Sequence, residues 1–436
     1  WHSTKKFYIL NSYIRFMALR IIGTFANRIL TAVLNFAIVL ITAKLFGAEG
    51  RGEISLLVLS ATIIQILSGI AGGGALTYLA PRYRFSQLWL ISTLWCIVVN
   101  YIMMWLLQKF HLIQPGTETL LLMFALPAAL FSNQQSLLLA FQRVHAYNLV
   151  SVIQPLTLLA YVWYFGTQNQ EHYTQAIALY ATGGFYSFML VYFISFIFLQ
   201  RLPELPSAGV TEIGKKFLFH GGWSQVANLA QLMNYRFSYY CLEAMKGISA
   251  LGIFSTGVSI AESVWVYSKS LSTLQYARTV NEQDKQASAV MAVSLLKISV
   301  AGTAVLTLIL ILLPESLYAY LLGGDFSSIS NIIGLISISI LCLSAYTILA
   351  SYFSGTGRHN ISSQASVSGL IVTIVCCLLF IPKWGVMGAA WAMNASHLTN
   401  CIFLFYRFNK ENKMSWKEWL PKTNDKETLK QVMKRI

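Results

Sequence analysis

Charged residues are scarce in this sequence, and their scarcity excludes an ordinary water-soluble protein. Only 11% of the 436 residues are charged, whereas 56% are hydrophobic. Soluble domains carry about 25% charged residues. A chain of this composition is expected to lie in a membrane, where apolar side chains meet lipid.

The sequence also lacks the residue clusters that enzymes and metal proteins need. Its six cysteines form no CxxC pair and have no histidine at a metal-binding spacing, so neither a disulfide nor a metal site is expected. No loop has room for a catalytic domain, and the acidic loop residues Glu171, Glu315 and Asp325 stand singly. The run Gly72 to Gly74 has no GK[ST] after it and is no P-loop. We therefore expect neither an enzyme nor a cofactor.

Long apolar runs, by contrast, are abundant. A helix that crosses a membrane needs about 20 mostly apolar residues, and about twelve stretches qualify. They lie near residues 18–43, 54–80, 86–108, 119–141, 149–166, 174–199, 217–242, 250–277, 289–313, 327–354, 361–381 and 386–406. The expected fold is an all-α integral membrane protein.

The net charge of +15 does not require a nucleic-acid partner, because its distribution follows the membrane. With a cytoplasmic N-terminus, 22 of the 31 lysines and arginines fall in cytoplasmic segments. Cytoplasmic loops of membrane proteins are enriched in these residues. We expect both termini in the cytoplasm.

A proline-containing connection near the middle divides the chain into two halves of six helices. We expect a cytoplasmic lead-in, a first bundle, a linker, a second bundle and a basic tail with an interfacial helix at Trp416, Trp419 and Leu420. The corresponding ranges are 1–17, 18–200, 201–216, 217–407 and 408–436.

Matched glycines favour an internal repeat of the two halves. Gly47 and Gly52 follow the first predicted helix, and Gly247 and Gly252 follow the seventh at the same spacing. Parallel repeats recur among transporters, whose binding sites lie between the two repeats. The glycine pairs therefore predict two similar bundles with a central site.

The first predicted helix has a polar face deep in the membrane. The residues Thr24, Asn27, Arg28, Thr31 and Asn35 follow three- and four-residue steps and so share one side of the helix. Arg28 lies roughly 15 Å into the span. A lipid-facing charge there would cost at least about 2.5 to 3.5 kcal/mol. We expect this face to line a water-filled cavity, with a structural ion pair between helices as the alternative.

The second half carries a comparable polar set. Its members are Asn228, Gln231 and Tyr235 on one face of helix 7, the neighbouring Arg236, and Glu262 and Lys269 on one side of helix 8. Glu262 is predicted to hold Arg236 as its charge partner across the helix interface. A cavity with several cations and one acid attracts anions. Phosphate, pyrophosphate or a carboxylate is therefore the expected substrate group.

The segment "SYFSGTGRHNISSQASVSGLIVTIVCCLLFIPKWGVMGAAWAMNASH" from residue 351, with "LGIFSTG" at 251 and "AKLFGAEGRGEIS" at 43, resembles the Wzx-type polysaccharide flippases. These belong to the multidrug/oligosaccharidyl-lipid/polysaccharide exporter superfamily. The resemblance implies two six-helix bundles around a central V-shaped cavity and basic residues on the cavity helices, as at Arg28 and Arg236.

The resemblance also implies a substrate and a setting. The substrate is a polyprenyl-pyrophosphate-linked oligosaccharide that is moved across the bacterial inner membrane during O-antigen, capsule or related glycan assembly. Contacts with a glycan polymerase or glycosyltransferases and a monomeric state are expected. Many relatives have an acid two residues after the helix 7 arginine, where this chain has Ser238, which puts ion coupling at that position in doubt. The second role expected for Glu262, the remaining intramembrane acid, is to bind a coupling proton or sodium ion.

Other functions remain open at this point. A lipid II or teichoic-precursor flippase would need the same anion-binding cavity. A drug or cation antiporter of the same superfamily should show acids in its cavity, and this chain shows mostly bases. A glycan polymerase or ligase would need a long external loop, which is missing, and a purely structural membrane protein would not need the two polar faces.

Overall fold

The computed structural model describes the backbone of residues 2–168, 176–199, 206–207, 209–281, 284–414 and 419, and the side chains in these ranges except at 2–25, 223, 277, 281 and 359. The helices are α1 (His2–Ser68), α2 (Gly73–Leu79), α3 (Phe85–Lys109), α4 (Glu118–Ala140), α5 (Val144–Gln168), α6 (Ala176–Leu199), α7 (Val210–Lys246), α8 (Ile248–Ser263), α9 (Trp265–Asn281), α10 (Lys285–Leu312), α11 (Glu315–Leu322), α12 (Ile329–Gly355) and α13 (His359–Asn412).

Most of these helices are apolar and long enough to cross a membrane. Eight stretches of the described chain pass this test, and the bent pair of α8 and α9 makes a ninth. Two stretches, Ala26–Leu79 and Asn360–Asn412, have 54 and 53 residues, more than twice the about 20 needed for one crossing. The prediction of an all-helical, multi-spanning membrane fold is confirmed.

A single glycine divides each of the two longest helices. Gly47 in α1 has a φ of 63° and Gly385 in α13 has a φ of 55°, a left-handed conformation that glycine adopts without steric cost. The sequence predicts loops between residues 43 and 54 and between 381 and 386. That prediction is wrong, because one such residue is enough to redirect the helix and the turns of helix on either side persist.

The glycine run after α1 interrupts the predicted second helix. A 3₁₀ turn covers Gly69–Ala71 and α2 begins at Gly73. A Cβ atom at Gly72 would lie 2.0 Å from Oδ1 of Asn133, so this glycine is a close-packing point. α7 begins at Val210, within the stretch that we expected to link the halves.

Two predicted features lie at least partly outside the described residues. The linker residue Pro203 is one of them, and the interfacial helix with Trp416 and Leu420 is the other. From that helix the structure describes Trp419, whose ring centroid lies 4.4 Å from that of Phe405.

Buried apolar residues form several clusters, and one of them joins the two halves of the chain. Ile54, Phe124 and Tyr180 belong to a cluster within α1 to α6. Another cluster combines residues from the second part of α1, such as Leu56 and Leu59, with residues of α7, α8, α12 and α13. The second part of α1 is therefore shared between both hydrophobic cores.

Where α1 meets α8, the two backbones touch at glycines. A Cβ atom at Gly52 would lie 2.1 Å from the carbonyl oxygen of Ile248, and one at Gly252 would lie 1.7 Å from that of Ala48. The Oγ atoms of Ser55 and Ser255 are 2.8 Å apart. We call these six residues, Ala48, Gly52, Ser55, Ile248, Gly252 and Ser255, the glycine seam.

The glycine seam is symmetric in sequence as well as in space. Its two glycine contacts exchange when every residue number is shifted by 200, and Ser55 and Ser255 are each other's equivalents. Gly47 and Gly247 are also equivalent, and both have positive φ angles. These paired contacts support the internal repeat that the glycine spacing predicts.

We expect Gly252→Ala to destabilise the protein, because the new methyl group would overlap the carbonyl oxygen of Ala48. Overpacking of this kind costs about 1 to 3 kcal/mol. The control is Gly334→Ala in α12, where an added Cβ meets nothing within 4 Å. Thermal unfolding of the purified proteins in detergent measures the effect. A Gly252→Ala protein that melts with the wild type would contradict the close contact.

Candidate functional site

A polar pocket of about 730 Å³ lies among α7, α9, α12 and α13. Ligand pockets in proteins range from about 300 to 1,000 Å³. Six serines contribute to its wall, from the middle of α7, the end of α12 and the start of α13: Ser224, Ser351, Ser354, Ser362, Ser363 and Ser366. Asn228, Gln231 and Thr347 add further polar groups.

Helical spacing gathers these serines on one side. Ser351 and Ser354 are three residues apart on α12, and Ser362 and Ser366 are four apart on α13, so each pair lies on one helix face. Ser366 Oγ is 3.0 Å from the hydroxyl of Tyr346. The Oγ of Ser362 is buried without a hydrogen-bond partner and is available to a ligand that brings one.

Lys269 is the charged residue in the pocket wall. Its side chain is exposed, and its Nζ lies 3.7 Å from the centre of the Trp265 ring. A ring face attracts a cation without cancelling its charge. Arg28, Arg236 and Glu262 are the charged groups that act on Lys269. The pocket therefore keeps a positive charge next to its hydroxyl groups.

Arg28 brings a second cation from the other half of the chain. It lies on the first part of α1 and is exposed, and its charge acts on Lys269 in α9. None of the salt bridges within the described ranges involves Arg28. Like charges that act on each other disfavour each other's charged form, and an anion that reached both would stabilise both.

Arg236 is paired rather than free. Its Nη1 donates to Oε1 of Glu262 at 2.9 Å and its Nη2 donates to Oε2 at 2.5 Å, which is the two-point geometry that arginine forms with a carboxylate. The two side chains are 22% and 16% exposed. Of the two roles expected for Glu262, the geometry is that of a charge partner.

The remaining predicted site residues of α1 contact their own half. Nδ2 of Asn27 donates to the carbonyl oxygen of Asn148 at 2.6 Å, and Oγ1 of Thr31 donates to that of Ser151 at 3.3 Å. Both acceptors lie on α5, so these two side chains hold α1 against α5. Asn35 is exposed.

The predicted residues of α7 form side-chain hydrogen bonds within that helix, beside the pocket. Asn228 donates to Gln225 at 3.0 Å, and Gln231 donates to the hydroxyl of Tyr235 at 3.2 Å. The Tyr235 ring meets the rings of Trp265 and His397 at centroid distances of 6.1 and 5.2 Å. Tyr235 therefore packs against Trp265, the ring that Lys269 contacts.

Two sequence inferences about charged residues are wrong. Glu262 and Lys269 do not share one side of a continuous helix, because α8 ends at Ser263 and α9 begins at Trp265 with a bend of 44°. Arg51 is not a loop residue outside the membrane helices, because it lies within α1 after the Gly47 kink and is only 7% exposed.

Sequence reasoning missed the serines of α12 and α13 and the role of Trp265. The signal was present, since Ser351, Ser354, Ser362 and Ser366 have the same helical spacing that identified the polar face of α1. Serine hydroxyls are common in membrane helices, where they usually bond to their own backbone. Only the packing of the two helix ends distinguishes a pocket lining from that ordinary role.

Comparisons with known proteins agree with the fold. No family model matches this chain. The structure superposes on the lipid II flippase MurJ in an inward closed conformation with a TM-score of 0.71 at 14% identity, over 95% of this chain and 92% of that one. It superposes on an inward-facing multidrug resistance MATE family transporter of the MOP superfamily with a TM-score of 0.69 at 12% identity, over 88% and 94%.

These likenesses show that the chain has the fold of MOP-superfamily membrane transporters. In sequence, part of the chain is similar to the capsular polysaccharide biosynthesis protein CapF of Staphylococcus aureus. The two are 22% identical over 172 residues, which is 39% of this chain and 43% of the CapF protein. The match thus spans less than half of that relative.

The Arg236–Glu262 pair makes a testable claim about stability. Glu262→Gln should leave a partly buried arginine without its counter-charge, and breaking a buried pair in this way costs about 3 to 5 kcal/mol. The double variant Arg236→Met/Glu262→Met removes both charges and should unfold at a higher temperature than Glu262→Gln. If the double variant is the less stable of the two in detergent, the pair has a different role.

Proposed function

We propose that this protein is a flippase for a polyprenyl-(pyro)phosphate-linked oligosaccharide, which it moves from the cytoplasmic to the outer leaflet by alternating access. The single observation that supports this most is the combination of Lys269 and Arg28 with a serine-lined pocket. An ionic head group and hydroxyl-rich sugars are the two chemical parts of such a substrate.

The two cations suit the phosphate end. Neither Lys269 nor Arg28 takes part in a salt bridge within the described ranges, and arginine offers a planar fork of donors that matches phosphate oxygens. Their sites lie on opposite halves of the chain. A phosphate group between them would neutralise both and draw the halves together.

The hydroxyl groups suit the glycan. Serine can donate and accept hydrogen bonds, as sugar hydroxyls can, and Asn228 and Gln231 in the pocket wall also do both. Buried polar groups are stabilised when they find partners. The unpartnered Oγ of Ser362 is therefore a candidate contact for a sugar hydroxyl.

The same charges argue against a transporter of cations. A cationic drug would meet Lys269 and Arg28, and the acid that acts on Lys269 is Glu262, which is already held by Arg236. Like charges brought together are unfavourable. A flippase for another lipid-linked glycan precursor would bind its substrate by the same chemistry. The identity of the transported glycan distinguishes it from our proposal.

The proposal also includes a cellular location, a membrane topology and an oligomeric state. We place the protein in a bacterial cytoplasmic membrane as a monomer with both termini in the cytoplasm, in agreement with the charge distribution of its loops. The partial likeness to CapF supports capsule assembly among the surface-glycan pathways. Contact with glycosyltransferases or a polymerase would deliver and remove the glycan.

Arg28→Ala should reduce the flipping rate of a fluorescent polyprenyl-pyrophosphate oligosaccharide in reconstituted vesicles by about ten- to a hundredfold. Hydrogen bonds to a charged group contribute about 1.5 to 3 kcal/mol, and the variant loses them. Arg28→Lys should retain part of the rate because it keeps the charge. Lys269→Gln should resemble Arg28→Ala.

The matched control is Lys109→Ala, which removes an exposed lysine that lies over Trp105 at the end of α3. It should flip at the wild-type rate and reach the membrane in the same amount. Wild-type flipping by a correctly inserted Arg28→Ala protein would refute the proposed role of this arginine.

A further inference from the structure

Arg51 is a buried cation that the proposed pocket does not use. It lies on α1 next to Gly52 of the glycine seam and is 7% exposed. Its Nε is buried without a hydrogen-bond partner. Arginine stays protonated in proteins, and a buried charge is costly unless it is paired or hydrated.

No carboxylate of the described residues compensates this charge. The titratable groups close enough to act on Arg51 are the tyrosines Tyr180 and Tyr239, and none of the salt bridges in the described part of the chain includes Arg51. Both tyrosines are themselves buried. A neutral tyrosine does not cancel the charge of a guanidinium, so Arg51 lacks a counter-charge among the groups that act on it.

One of the two tyrosines that act on Arg51 belongs to the opposite half of the chain. Tyr180 lies on α6, in the same half as Arg51, whereas Tyr239 lies on α7. Separation of the halves at this point would take Tyr239 away from Arg51. Around it, the glycine seam consists of backbone contacts at Gly52 and Gly252 and one hydroxyl pair, so the surface next to Arg51 is formed by small groups.

Arg28 and Arg51 lie on different parts of α1, before and after the Gly47 kink. Arg28 precedes the kink by 19 residues, which is roughly 28 Å of helix. Arg236, by contrast, has its charge cancelled by Glu262 and lies 5.1 Å from the ring centre of Tyr239. Arg28 and Arg51 have no such carboxylate partner among the salt bridges of the described residues.

We infer that Arg51 is a second anion-binding site, which takes the phosphate or pyrophosphate group of the lipid carrier when the glycine seam separates. The inference rests on the proposed function for the identity of the anion. Alternating access then presents one uncompensated cation site at each side in turn: Arg28 with Lys269 in one state, and Arg51 in the other. The head group is released from the first site as the second becomes accessible.

The local charge of Arg51 can be measured without any transport assay. A cysteine introduced by Ser55→Cys, one helical turn from Arg51, is treated with an anionic and a cationic methanethiosulfonate reagent in reconstituted vesicles. The protein without Ser55→Cys corrects for the native cysteines. We expect the anionic reagent to react faster than the cationic one. The ratio of the anionic to the cationic rate should fall about fivefold or more with Arg51→Gln, because one nearby positive charge is removed. Arg51→Lys should keep most of the ratio.

The ionic strength of the buffer gives a second readout that leaves Arg51 intact. Added salt should lower the ratio toward one, because it screens the charge, and this decides the question if Arg51→Gln does not fold. A ratio that is insensitive to both Arg51→Gln and salt overturns the inference. So does an introduced cysteine that neither reagent reaches, since the seam would then stay closed.

Flipping assays on the same proteins separate this inference from the proposed function. Arg51→Gln should abolish flipping of the polyprenyl-pyrophosphate oligosaccharide, and Arg51→Lys should retain part of it. If the wild type flips no lipid-linked glycan although the reagent ratio responds to Arg51, the proposed function fails and the anion site stands. If the ratio responds but Arg51→Gln flips at the wild-type rate, the role in carrying the head group is overturned.

Discussion

A protonated lysine or arginine among membrane helices needs a carboxylate, water or an anion beside it, and this requirement organises the molecule. Arg236 meets it with Glu262 inside the second half. Arg28, Lys269 and Arg51 take part in no such salt bridge in the described part of the chain. Lys269 lines the polar pocket and Arg28 is exposed, whereas Arg51 is buried beside the glycine seam.

The packing of the halves is suited to movement at their contact. Close backbone approach at Gly52 and Gly252 gives many weak contacts over a short length, beside apolar side chains such as Leu56 and Leu59 that pack into the core of the second half. The near-identity of the two glycine contacts under a shift of 200 residues means that each half contributes the same surface. A contact of this kind can form and separate as a unit, which is what alternating access between two lobes requires.

The sequence predicts the architecture well because its signals are local. The long apolar runs specify the helices, and the glycine pairs specify where two of them approach. The Arg236–Glu262 pair was foreseen as one of two roles for Glu262, since an arginine and a glutamate at such depth need each other. Even the wrong loop predictions had the right glycines, Gly47 and Gly385, and failed only in assuming that a turn needs several residues.

The site was less accessible to sequence reasoning, for reasons that are also physical. Asn27 and Thr31 share a helix face with Arg28, yet they bond to α5, because neighbouring positions on a wide face can meet different partners. The serine lining depends on how the end of α12 meets the start of α13, which periodicity within one helix cannot give. Arg51 was missed because the apolar pattern breaks near Gly47 and predicts a loop there. In the structure the helix continues beyond the kink and includes Arg51.

The central claim is that the contact region between the halves holds the anionic part of a lipid-linked glycan. It is tested most directly by the affinity of the purified protein for a polyprenyl-pyrophosphate oligosaccharide, compared with the same oligosaccharide on an uncharged polyprenyl carrier, at low and high salt. We expect tighter binding of the charged lipid and a preference that shrinks as salt screens the cations. Equal affinities for the two lipids at low salt would contradict the account.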